Sequence, residues 1–258
     1  ILNISDFWGA LWDFTGIKAS KSYEKVLEDE TRMPGARWFP GARLNFAENL
    51  LRYRDDRTAI IFRGEGAAPE RLSYGELYHE TARLAQSMRE IGVKPGDRIS
   101  GFMPNMPETI TAMLAATSIG AIWSTCSPDF GVSGVLDRFG QIKPRVLFTS
   151  DGYWYKDKRF NSLEKVANIV SEIPSIEKVI VVPYTLRRPD IGNIPNADLY
   201  TEFLSRDHGL EIEYEQLPFD HPLYILYASG TAGLPRCMVQ GAGGVLINHL
   251  KELMLHTD

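Results

Sequence analysis

Cysteine is scarce: the 258 residues hold two, Cys126 and Cys237, far apart and in no CxxC or Cys/His cluster. That excludes a disulfide scaffold and a structural zinc site, and the pair read as reduced thiols of a cytoplasmic protein. An excess of positive charge is lacking too. Lys plus Arg number 28 against 33 Asp plus Glu, a net charge of -5, which argues against a surface built for nucleic acid. No basic stretch leads into an apolar run near Ile1, so no signal peptide is expected within the chain, and a start at Ile suggests a piece of something longer. Residues 109–128 carry no charge, about the length a bilayer needs. Thr109, Thr111, Thr117, Ser118, Ser124, Thr125 and Ser127 make that stretch too polar for a membrane span, and Gly120 divides it into a buried helix and a buried strand. His79, His208, His221, His249 and His256 show no metal-ligand spacing, and no serine sits in GxSxG, so metal and hydrolase chemistry have no anchor.

What is present is the composition of a soluble globular chain, 44% apolar and 24% charged, long enough for one large domain or a domain with an appendage. Its character changes near residue 55. Over residues 1–54 the aromatics Phe7, Trp8, Trp12, Phe14, Trp38, Phe39 and Phe46 are interleaved with Gly and Pro, without long periodic runs. Such a segment is expected to wrap, as an extension, over a core formed by residues 55–258.

In that second part strand and helix signals alternate. Ala59 to Phe62 and Arg71 to Leu72 suggest two short strands, and Ser73-Tyr74-Gly75-Glu76 fits a capping box opening a helix with Leu77, Leu84, Ala85, Met88 and Ile91 on one face. Strands follow at 98–102, 121–125, 146–149 and 179–182, with helices from about Pro107, Ser133 and Leu163 between them. Short links and right-handed crossovers then predict an α/β fold, a mostly parallel sheet with helices on both faces. Residues 183–222 read as a surface excursion with one short helix near Asp198 to Leu204. Lys156-Asp157-Lys158-Arg159 reads as a solvated loop, and Met103, Met106 and Met113 as gap-fillers around a buried helix.

The chemistry lies after the strand Leu223 to Tyr227. Ala228-Ser229-Gly230-Thr231-Ala232-Gly233-Leu234-Pro235-Arg236 follows it, and Cys237 to Gln240 looks like a second strand. Glycines expose backbone amides, Ser229 and Thr231 offer hydroxyl donors, and Arg236 supplies a permanent cation, a set that suits phosphate oxygens. The order is not that of a Walker A loop, which opens a helix; it predicts a strand-loop-strand grip. On composition alone, a hairpin whose Gly, Ser and Thr only turn the chain is an equal reading.

Tyr227 through Arg236 resembles the phosphate-binding signature of adenylate-forming enzymes, which runs roughly [YF]-[ST]-S-G-[ST]-T-G-x-P-K. Within that superfamily the wording is similar to the acetoacetyl-CoA synthetase family, through Phe39 to Leu51, Gly120 to Gly131, Arg138 to Gln141, Gly243-Gly244 and His249 to Glu252. The resemblance implies the large N-terminal domain of an AMP-forming acid-thiol ligase, with ATP, Mg2+ and CoA as cofactors. A carboxylate, here acetoacetate, attacks the α-phosphorus of ATP, and the CoA thiol then displaces AMP. It further implies that Ser229, Gly230, Thr231, Ala232, Gly233 and Arg236 hold the β- and γ-phosphates, stabilising the leaving pyrophosphate. No catalytic acid or base and no metal ligand falls within the chain on this reading, and the basic run at 156–159 is a further candidate for the 3′-phosphate of CoA.

The chain also departs from the pattern. Ala228 and Ala232 stand where hydroxyls are usual, Arg236 where Lys is usual and Gln240 where His is usual. Losing one charge-assisted hydroxyl contact at 232 is worth about ten- to a hundredfold in binding or turnover. The resemblance places the metal motif, the ribose-binding Asp, a hinge and a Lys-bearing small domain after Asp258. The isolated chain is therefore expected to be inactive unless a C-terminal portion or partner chain supplies them, and the end of the last helix, near Leu253 to Leu255, to expose an apolar face. Two alternatives stand beside this reading: a silent truncated homologue that at most binds nucleotide, and a ligase for another short-chain acid.

Overall fold

The computed structural model describes residues 3–65, 68–228 and 233–257. The first 54 residues hold α1 (Ile4–Thr15), the short strands β1 (Ala19–Lys21), β2 (Leu27–Glu28), β3 (Arg37–Trp38) and β4 (Arg43–Leu44), and α2 (Phe46–Leu50). The helix α1 corrects the expectation of a segment without periodic runs. Asn3 Oδ1 accepts from the Asp6 amide at 3.1 Å to start it, Gly16 ends it at φ +59°, and Trp8, Leu11, Trp12 and Thr15 recur at helical spacing. Aromatic residues are indifferent helix formers, so this stripe is helical because it is covered. Trp12 stacks on Phe39 with ring centroids 4.9 Å apart, and Phe39 lies 4.8 Å from Phe219.

Next come β5 (Thr58–Phe62) and β6 (Glu70–Ser73), the two short strands foreseen in the sequence and here an antiparallel pair, and α3 (Tyr74–Glu90). Ser73 and Glu76 form the capping box: the Glu76 amide donates to Ser73 Oγ at 3.2 Å and the Ser73 amide to Glu76 Oε2 at 2.8 Å. The alternation follows as β7 (Arg98–Phe102), α4 (Pro107–Ser118), β8 (Ile122–Cys126), α5 (Val132–Ile142), β9 (Val146–Ser150), a small hairpin β10 (Gly152–Tyr155) and β11 (Lys158–Asn161), α6 (Leu163–Glu172) and β12 (Lys178–Val182). The chain closes with β13 (Ala197–Leu199), α7 (Tyr200–Phe203), β14 (Leu217–Pro218), β15 (Pro222–Ala228), β16 (Arg236–Gly241) and α8 (Ala242–Leu255).

Seven strands form the main sheet in the order β13-β12-β9-β7-β8-β15-β16, every neighbouring pair parallel except β15 with β16. On one face Leu84, Met88, Ala112, Ile119 and Tyr200 pack against Trp123, Phe148 and Ile180; on the other Val135, Phe139, Val166 and Ile169 pack against Phe102, Leu147 and Val181. This is the predicted α/β architecture. The chain leaves β7 for α4 on the first face and leaves β8 and β9 for the opposite face. The connections therefore change faces at β7, and the carboxyl ends of strands at such a switch point are where sheets of this kind bind ligands. A third core joins α1 to the last helix, with Leu11, Trp12, Phe39 and Leu44 against Phe219, Leu223, Leu246 and Ile247.

Residues 183–222 are more than a surface excursion. They do contain the short helix, but β13 also extends the main sheet, and residues 211–215 strap α3 and α4 together. Tyr78 donates its hydroxyl to Glu211 at 2.7 Å and accepts from the Ile212 amide at 3.0 Å, while the Glu215 amide donates to Ser118 O at 2.9 Å. Single apolar anchors such as Ile194 and Leu204 have no period for a sequence pattern to reveal. Lys156 and Asp157, read as loop, form the two-residue turn of a hairpin with φ +51° and +59°, and both amides donate to the Glu65 carboxylate. The apolar end of α8 is exposed as expected, Leu253 at 61%. Among the described residues no helix is long and apolar enough to cross a membrane.

Candidate nucleotide site

The Leu-Tyr-Ile-Leu-Tyr run of β15 alternates, with Leu223 and Ile225 buried, and is inserted between β8 and β16. Its parallel pairing to β8, Tyr224 opposite Trp123 and Ile225 opposite Ser124, sets the end of β15 at the carboxyl end of the parallel strands. The return strand β16 pairs Cys237 with Tyr227 and Arg236 with Ala228. The two strands expected from the wording are thus present and paired antiparallel.

Of the six residues expected to hold phosphate, Ser229, Gly230, Thr231 and Ala232 lie outside the described residues. Gly233 is described, at φ +88° with open space where a side chain would stand, and Arg236 opens β16 with its side chain exposed. Of the departures, Ala228 is strand-paired opposite Arg236, and Gln240 lies half-buried opposite Tyr224, well down the strand from the loop.

Sequence reasoning missed the groups that brace this hairpin, because they lie about a hundred residues earlier and carry no spacing signal. Ser124 Oγ donates to Ile225 O at 2.8 Å and lies 2.9 Å from the Tyr227 hydroxyl, fixing β15 to β8 through side chains as well as backbone. The Arg138 guanidinium stands 4.3 Å from the Phe130 ring and 5.8 Å from the Tyr227 ring. Gln141 Nε2 donates to Pro235 O at 2.9 Å.

Burial holds the nearby acids in their neutral forms. The Cys126 thiol is pushed up to about 12 by desolvation, only partly offset by Arg138. Desolvation raises the Tyr224 hydroxyl to about 12 and the Tyr227 hydroxyl further. Among the described residues around the hairpin these three groups therefore stay protonated near neutral pH, and Arg236 presents an exposed cation at the start of β16. Among the described residues no group of three or more His, Cys, Asp or Glu side chains could hold a metal ion.

A model of the AMP-binding enzyme family matches residues 46–256. This chain belongs to that family. A model for the acetyl-coenzyme A synthetase N-terminus matches residues 1–50 of the chain. The chain is similar to an acetoacetyl-CoA synthetase of Xenopus tropicalis, 46% identical over 97% of this chain and 39% of the relative. One from Rattus norvegicus is 46% identical over 99% and 39%. The solved structure of an acetoacetyl-CoA synthetase from Streptomyces lividans superimposes with a TM-score of 0.91 at 43% identity, covering 98% of this chain and 38% of that one. The chain therefore spans about two fifths of the length of the relatives it matches.

Proposed function

We propose that the chain is the N-terminal part of an ATP-dependent acid-thiol ligase that activates acetoacetate as its acyl-adenylate and passes the acyl group to CoA. In this reading residues 1–54 are an extension over an AMP-binding unit of 55–258, and a C-terminal portion or a partner chain supplies the rest. The observation that carries the reading is the β15–β16 hairpin, at the carboxyl end of a parallel sheet and worded like the family's phosphate signature. Likeness to acetoacetyl-CoA synthetases over nearly all of the chain supports the choice of acid. The donor set fits a polyphosphate: one exposed guanidinium, a glycine in the left-handed region and the hydroxyls of Ser229 and Thr231 in sequence. No described cluster fits Mg2+, so its ligands are not assigned to these residues. The two free thiols fit a cytoplasmic setting.

The reading predicts a thiol footprint. Cys237 is exposed, one residue past Arg236, whereas Cys126 is buried with its thiolate disfavoured, so only Cys237 should react quickly with a thiol reagent. MgATP is expected to slow that reaction at least several-fold. The double variant Ala232→Thr, Arg236→Lys, which restores the usual hydroxyl and ammonium, is expected to bind ATP about tenfold more tightly by calorimetry. Unchanged labelling in the presence of bound ATP would place the phosphates elsewhere. A polypeptide of these 258 residues alone is expected to make no acetoacetyl-CoA, since on this reading the metal site and the remaining contacts to the adenylate come from the C-terminal portion or partner chain. Acetoacetate-dependent exchange between ATP and pyrophosphate would overturn that expectation.

A further inference from the structure

We infer that Gln141, near the end of α5, is a positioning residue for the phosphate hairpin, a strut that fixes the end of the loop where it re-enters β16. The inference rests on the hairpin being the nucleotide site. Strand pairing fixes the loop at one mouth, through Ala228 with Arg236, but residues 233–235 lie outside the ladder. Pro235 has no amide to pair, and its carbonyl accepts from Gln141 Nε2 at 2.9 Å. The same Nε2 donates to Asp137 O at 2.6 Å, one turn back on α5, which pins the side chain in the orientation that reaches Pro235. One turn before Gln141, Arg138 is held by Gly134 O at 2.7 Å and lies over Phe130 and close to Tyr227 on the outgoing strand. Thus a single helix touches both limbs of the hairpin: Arg138 beside the limb that enters the loop, Gln141 at the limb that leaves it.

A loop that wraps phosphate loses conformational freedom on binding, and a strut that restricts it beforehand lowers that loss. Gln141 is itself exposed, so its contact adds little to global stability. These two facts separate a positioning role from a structural one. In the Gln141→Ala variant of the 258-residue polypeptide, amide hydrogen exchange in a peptide spanning 229–238 is expected to accelerate about three- to tenfold, with ATP affinity falling by a similar factor. Exchange across α3 and the thermal midpoint should stay at wild-type values. Gln141→Lys keeps a donor at this place and is expected to recover most of the lost protection.

Wild-type exchange and ATP affinity in Gln141→Ala would overturn the inference while leaving the nucleotide reading intact. Equal acceleration in α3 would overturn it too, by showing general loosening. If the hairpin loosens in the variant but wild-type Cys237 is never protected by MgATP, the strut stands and the nucleotide reading falls.

Discussion

Asn45→Asp is expected to destabilise the protein by about 3 kcal/mol or more, although the two side chains have nearly the same shape. Asn45 is 1% exposed and serves as a hub. Its Nδ2 lies 3.1 Å from Thr117 O, 3.0 Å from Ser118 O and 2.9 Å from Glu215 O, while Oδ1 accepts from the Glu48 amide at 3.1 Å to cap α2. One amide thereby ties the N-terminal segment to the end of α4 and to the 211–215 strap. A carboxylate oxygen in place of Nδ2 would face three carbonyl oxygens, each bringing the negative end of its dipole. It would either remain ionised against them or take up a proton and offer one donor where three acceptors wait. Urea unfolding should show a midpoint lowered by about 1 M or more, with part of the loss regained as the pH falls and the new carboxyl protonates. A midpoint within 0.2 M of wild type, roughly the error of such a measurement, would refute the role given to Asn45.

Glu108→Gln is expected to remove a pH dependence. Glu108 stands in the first turn of α4, half-buried as a residue but with Oε2 sealed from solvent and without a hydrogen-bond partner among the described residues. Burial first, then the Glu80 and Glu70 carboxylates, raise its carboxyl from the ordinary 4.5 to about 7. Tyr184 and Tyr200 also face it, and Tyr200 donates its hydroxyl to Glu80 Oε1 at 2.6 Å rather than to Glu108. Because the folded state holds this proton more tightly than the unfolded chain, stability falls as the pH rises from about 4.5 to 7. The loss amounts to about 2 to 3 kcal/mol, or roughly 5 to 10 °C of thermal midpoint for a chain of this size. The variant cannot ionise there. Its advantage over wild type should therefore grow by that amount between pH 5 and pH 8, whatever constant cost the new amide brings. Parallel stability-pH curves for the two proteins would show that Glu108 is not held protonated.

Most of the α/β frame was legible because its determinants are local. The Ser73 and Glu76 capping pair, the apolar stripe of α3 and the β-branched run of β12 each announce an element within a few residues. The illegible parts are those where distant residues decide. The helix α1 depends on Phe39 and Phe219 to cover its aromatics, and the 211–215 strap on Tyr78 and Asn45 to receive its backbone groups. The same division runs through the candidate site. The glycines, hydroxyls and cation of 229–236 lie within eight residues and could be read as a phosphate grip, whereas Ser124, Arg138 and Gln141 reach the hairpin from β8 and α5. No spacing rule connects residue 141 to residue 235.

The third core has a consequence for how the chain is made. Trp12 and Phe39 complete their packing only against Phe219, Leu246 and Ile247, roughly 200 residues later in synthesis, and such remote closure slows folding. As the nascent polypeptide leaves the ribosome, its amino-terminal aromatics must wait, uncovered, until the closing helix emerges. During that interval they form an adhesive surface, the kind of transiently exposed apolar area from which aggregation starts.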